Sequence, residues 1–175
     1  MNDYPGHAQV EPSTSANIVP FDTSRLDRLM EDARLDVLLV TSKHSIQYLL
    51  GGYRYFFYDY MDAHGLSRYL PFFVYIKGRP EKAAYIASPM EVYEKELGKF
   101  WVSEFVFDNM TTTQSSAAAA GYLKRMGSTT GRVGVEMGFL PVDAHRVLEH
   151  GLPGATIVDA TFTLELPTKP GGHIR

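Results

Sequence analysis

The side chains in this sequence best suited to proton or metal chemistry are six histidines, His7, His44, His64, His145, His150 and His173, and they are scattered. Two imidazoles share a helical face at i, i+4 spacing, whereas His145 and His150 are five apart and splay. A surface or capping role suits each of them better than metal ligation. Cysteine is absent, which removes thiolate nucleophiles, thiolate metal sites and disulfides. His-Glu-x-x-His, Gly-x-Ser-x-Gly, the P-loop and Gly-x-Gly-x-x-Gly are missing too, so nothing here announces a metallopeptidase, hydrolase or nucleotide site.

What the chain does concentrate is aromatic surface. Tyr53-Arg54-Tyr55-Phe56-Phe57-Tyr58-Asp59-Tyr60 puts six rings into eight positions, directly after Gly51 and Gly52. Rings in a loop lose water usefully when a partner or substrate covers them, and aromatic residues are favoured at interface centres. Arg54 could pair with Asp59 or offer its fork to a substrate carboxylate, and His64 lies just beyond the run. The alternative is a β-ribbon or bend packed on its own domain, with Arg54 purely structural. The sequence alone leaves both readings open.

The elements that must position this run are legible on either side of it. Val37, Leu38, Leu39 and Val40 form an apolar run without alternation, as in a central strand covered on both faces. Thr41 and Ser42 can cap a short helix with Ile46, Leu49 and Leu50 on its apolar face, and Gly51-Gly52 ends it. Before the strand, Asp22 or Thr23 caps a helix carrying Leu26, Leu29, Met30 and Ala33 at helical spacing; Arg25, Asp27, Arg28 and Glu31 fall on its other face, where solvation is the expected role.

After the aromatic run, Leu70 to Ile76 and Ala83 to Ile86 read as a hairpin around Lys77-Gly78-Arg79-Pro80, with Pro71 bringing the first strand in from an edge or a bend. Ser88 and Pro89 open a charged helix over Met90 to Gly98, and Trp101 to Phe107 supply a strand. Thr111 to Ser116 read as a polar loop or cap before a helix that begins with the alanines at Ala117 and ends at Gly127. The remainder is a strand from Arg132 to Glu136, a helix from Pro141 to about His150 with Val142, Val147 and Leu148 inward, a strand from Thr156 to Val158, and a short helix to about Leu166. Interleaved helices plus one hairpin predict an α/β class, three layers (α/β/α) on a mixed sheet of about six strands.

At 175 residues and a net charge of −3, the chain is long enough for a real core and has no basic footprint for nucleic acid. No apolar stretch suggests a membrane span or a signal peptide, and the lack of cysteine permits a cytoplasmic location. Residues 1–20, rich in Pro, Ser, Thr and Gly, are expected to be a flexible leader, 21–166 the domain, and 167–175 a linker.

Leu35-Asp36-Val37-Leu38-Leu39-Val40-Thr41-Ser42 followed by Ser45-Ile46-Gln47-Tyr48-Leu49-Leu50-Gly51 resembles the amino-terminal domain of the creatinase, prolidase and aminopeptidase P family, the pita-bread metallohydrolases; the family's usual asparagine is Ser45 here. Arg132-Val133-Gly134-Val135-Glu136, Ile157-Val158-Asp159-Ala160 and Leu164-Glu165-Leu166-Pro167-Thr168-Lys169 extend the resemblance to nearly everything outside the leader. Two departures stand at the junction: Pro167 replaces an arginine, and His173 falls where a glutamate is expected.

The resemblance implies a non-catalytic domain. In such enzymes a pair of divalent metal ions (Mn, Co or Zn) is held by the carboxy-terminal domain, so none is expected in this chain, which alone should lack hydrolytic activity. It further implies a homodimer, contact with the chain's own catalytic domain, and a loop lent to the rim of the partner's active site, where a peptide or small amide binds. The match of Ser42-Lys43-His44-Ser45-Ile46-Gln47-Tyr48 to the creatinase segment places Phe57 at the substrate-facing aromatic position, with His44, Tyr53, Arg54 and Tyr55 around it. Xaa-Pro peptides are the first substrate class implied, a small amidino compound cleaved at C–N the second. A stand-alone dimerisation or binding module is the third reading.

Overall fold

A computed structural model of the chain describes residues 18–54 and 69–163. The expectations for most of the leader, for Tyr55 to Tyr60, for His64, for the end of the last helix and for the junction at 167–175 lie outside these residues.

The chain opens with helix α1 (Thr23–Asp32), whose N-cap Asp22 accepts a hydrogen bond from the Arg25 amide at 2.9 Å. Strand β1 (Val37–Val40) is fully buried along its length, and helix α2 (Lys43–Leu49) follows with Ser42 as its N-cap. Strand β2 (Phe72–Ile76) and strand β3 (Ala84–Ile86) form the hairpin, its turn containing a 3-10 segment at Pro80–Lys82. Helix α3 (Val92–Glu96) then leads to strand β4 (Glu104–Val106), helix α4 (Thr112–Arg125), strand β5 (Thr130–Val135), helix α5 (Val142–Gly151) and strand β6 (Gly154–Asp159).

The strands make one sheet in the order β4-β3-β2-β1-β5-β6. Pairs β1–β5, β5–β6 and β3–β4 are parallel while β2 runs antiparallel to both its neighbours, so the sheet is mixed through β2 alone. Successive side chains of β1 point to opposite faces. Val37 and Leu39 join a core with Ala119, Leu123, Ala144 and Leu148 of α4 and α5, whereas Leu38 and Val40 join Leu26, Met30, Ile46 and Leu49 of α1 and α2. This is the three-layer α/β/α architecture expected from the apolar run of β1. Among the described residues no helix is long and apolar enough to cross a membrane.

Several boundaries differ from the sequence reading, each for a local reason. Pro71 precedes β2, and β2 lies inside the sheet, so of the two options it marks a bend rather than an edge. The charged helix is broken into a 3-10 turn at Pro89–Glu91 and α3, because a capping box between Ser88 and Glu91 closes the first turn on itself. Helix α4 begins at Thr112, several residues before the alanines, since Thr111 accepts from the Gln114 amide and satisfies the first turn. Val142, expected inward, is 67% exposed, and Ala144 and Leu148 supply the buried face of α5. Asp27 and Glu31 do more than solvate α1: Asp27 accepts from the Tyr75 hydroxyl and the Gly78 amide, and Glu31 pairs with Lys77.

Candidate functional site

The aromatic segment starts from the end of α2. There Gly51 and Gly52 take φ values of 74° and 104°, which side-chain-bearing residues rarely adopt. Their amides donate to the carbonyls of Tyr48 and Gln47, closing the last turn and releasing the chain at Tyr53. Trp101 fixes the same corner from outside by donating its indole N–H to the Leu49 carbonyl at 2.7 Å.

Two buried carboxylates organise what surrounds this corner. The first is Glu136, at the carboxyl end of β5 and 2% exposed. One of its oxygens accepts from the backbone amides of Thr41 and Ser42 at 2.8 and 2.7 Å; the other accepts from the hydroxyls of Ser42 and Ser45 at 2.7 and 2.8 Å. The carboxylate therefore ties the end of β5 to the turn between β1 and α2. Parallel strands β1 and β5 lead to helices on opposite faces of the sheet, the place where doubly wound folds receive an anionic ligand. Here the chain's own Glu136 meets the amides that a phosphate would need.

The second is Glu91, with no exposed surface. The capping box carries it: Ser88 accepts from the Met90 amide at 3.2 Å, and Glu91 reaches back to the Ser88 amide at 3.3 Å. Three tyrosines also donate to it, Tyr53 at 3.1 Å, Tyr85 at 2.9 Å, and Tyr69 in a short contact. Burial pushes the Glu91 carboxyl above its ordinary range, against the pull of the donors from Tyr69, Tyr85, Ser88 and Tyr53. Burial, then the neighbouring carboxylate, raises the Tyr69 hydroxyl well above its usual value; Tyr85 is raised by burial and then by Tyr69 and Glu91. The phenols of Tyr69 and Tyr85 therefore stay protonated at neutral pH.

Of the residues singled out in the sequence, Tyr53 is half-buried, its ring edge-on to Phe100 with centroids 4.5 Å apart and to Tyr85 at 6.4 Å. Arg54 follows it and is exposed. His44 sits on the exposed side of α2 and lines an open depression with Pro20, Gln47, Tyr48, Gly51 and Gly52, which Tyr53 does not line. Tyr55 and Phe57 lie outside the described residues. Sequence reasoning missed Glu91 and gave Glu136 no role. A signal existed for each: Ser88-Pro89-Met90-Glu91 has capping-box spacing, and Glu136 closes a quoted motif.

Among the described residues no group of three or more His, Cys, Asp or Glu side chains could hold a metal ion, so they do not fit a metal centre. What the corner does offer is a cluster of buried and part-buried hydrogen bonds around Tyr53 and the end of α2.

The fold and this corner thus define a three-layer α/β domain built on a mixed six-stranded sheet. The chain belongs to the creatinase/prolidase N-terminal domain family, whose model matches residues 23–166. Solved structures share the fold at low identity. A proline dipeptidase from Streptococcus pneumoniae is 17% identical, with a TM-score of 0.60 over 83% of this chain and 96% of that one. The N-terminal domain of a Xaa-Pro dipeptidase from Lactobacillus brevis is likewise 17% identical, with a TM-score of 0.60 over 82% and 98% of the two chains. Against a Xaa-Pro dipeptidase from Bacillus anthracis the match is 15% identical, with a TM-score of 0.56 over 80% of this chain and 33% of that one. No curated protein sequence matches.

Proposed function

We propose that this chain serves as the non-catalytic N-terminal domain of a metal-dependent Xaa-Pro peptidase, contributing dimer contacts and lending its aromatic segment to the rim of the partner's active site. The observation that carries this reading is the family match over residues 23–166, in a fold shared with Xaa-Pro dipeptidases. The Bacillus anthracis enzyme, of which this chain matches only 33%, is an example in which the domain is a minor part of a longer polypeptide. In this reading a divalent metal (Mn, Co or Zn) is held by the catalytic domain, the peptide substrate meets Phe57 with His44, Tyr53, Arg54 and Tyr55 nearby, and the protein works in the cytoplasm.

The Ser42-x-His44-x-Ile46-x-Tyr48 match favours a second reading, a creatinase-like C–N hydrolase of the same architecture. The downstream reading frame separates the two: metal-ligating carboxylates with a histidine mean the peptidase, a histidine base without them the creatinase type. A stop codon near Arg175 with a stable oligomer would instead support a stand-alone dimerisation module. Light scattering on the purified chain tests the shared element. A dimer supports the proposal, and a monomer at high concentration contradicts it.

A further inference from the structure

We infer that Glu91 is the clasp that gathers the two stems flanking residues 55–68, Tyr53 and Tyr69, onto one carboxylate and so fixes the two stems relative to each other. Tyr53 and Tyr69 stand on either side of residues 55–68, and the hydroxyls of both donate to Glu91, one to each oxygen. Tyr85 of β3 donates to the same carboxylate at 2.9 Å, and Ser88 adds its amide, so the clasp is anchored to the sheet and not only to the loop. A carboxylate suits this task because it accepts several donors at once and has none of its own to satisfy.

Burial explains why the arrangement is selective. Glu91, Tyr69 and Tyr85 are all buried, and an ionised group removed from water is tolerated only when its acceptors are filled. If either stem hydroxyl withdraws, the carboxylate loses a donor that water is not placed to replace. The ring of Tyr53 still packs edge-on against Phe100 and Tyr85. Glu91 is thus a positioning residue for the segment. This inference rests on the function proposed above only for what the segment does once positioned; the clasp itself is tested without it.

The test is hydrogen–deuterium exchange of the full chain, read in peptides carrying the two stems and in peptides from β1 and β5. Tyr53→Phe and Tyr69→Phe each remove one stem hydroxyl, and Glu91→Gln keeps the shape while removing the charge. The clasp predicts exchange faster by about tenfold or more at both stems in Tyr53→Phe, Tyr69→Phe and Glu91→Gln, the scale set by one lost hydrogen bond to a charged acceptor. Strands β1 and β5 should be unchanged. Loss spread evenly over the sheet would show a general core contact and overturn the inference. Unchanged stems in Glu91→Gln would do the same. Should Glu91→Gln not fold, the two stem substitutions decide alone: acceleration confined to the substituted stem contradicts a shared clasp, and acceleration at both supports it.

Discussion

Removing the Glu136 side chain should be among the costliest substitutions in the domain. Its carboxylate takes four hydrogen bonds, from the amides of Thr41 and Ser42 and the hydroxyls of Ser42 and Ser45, all at 2.8 Å or less. A hydrogen bond to a charged group contributes about 1.5–3 kcal/mol, but bonds to one carboxylate do not add. Glu136→Ala leaves two buried amides without an acceptor, and a loss of about 3–5 kcal/mol is expected. That is about a fifth or more of a typical domain's stability of about 5–15 kcal/mol. Glu136→Gln should be milder, near 1–2 kcal/mol as an order of magnitude. Its carbonyl can take the two amides, and its NH2 can face the two serine hydroxyls, which rotate to accept. Urea unfolding of the three proteins measures the difference, and amide exchange at Thr41 and Ser42 localises it. A loss below about 1 kcal/mol for Glu136→Ala, or equal losses for both variants, would refute the reasoning.

Two further outcomes follow from single positions. Gly131 has φ 88°, and a Cβ there would run into the Asp36 carboxylate, which accepts from the Arg132 amide. Gly127, at φ 70°, has open space instead. Gly127→Ala should therefore cost about 1–2 kcal/mol from backbone strain, and Gly131→Ala clearly more, read by thermal or urea melts. For pH, the raised folded-state pKa of Glu91 means the native state binds its proton more tightly than the unfolded chain does. Its contribution is present in full below the unfolded value near 4.5 and is lost as pH rises through the folded value. The groups facing it are the phenols of Tyr53, Tyr69 and Tyr85 and the Ser88 amide. Wild type should accordingly gain stability relative to Glu91→Gln as pH falls from neutral toward 4.5, measured by denaturant melts across that range. A constant difference would contradict it.

The fold was legible in the sequence because its deciding features are local. The unalternating Val37–Val40 run called for a doubly covered strand, and the glycines after α2 for a stop at Tyr53. Boundaries slipped where a side chain, not periodicity, set the end of an element: Thr111 capping α4, or Ser88 and Glu91 closing a 3-10 turn. The loop corner was visible as composition, but its supports were not. Glu136 lies 94 positions from Ser42, and Glu91 lies 38 from Tyr53, separations that no local pattern encodes. Their partners meet only once β1, β3 and β5 share a sheet.

The central claim is that this domain positions and presents while the bond-breaking chemistry belongs to a separate catalytic domain. The most direct measurement is a turnover assay of the purified chain on Xaa-Pro dipeptides and on creatine, with Mn, Co or Zn supplied. The account predicts product formation no faster than in a protein-free blank. Saturable, metal-dependent turnover that is lost on chelation would contradict it.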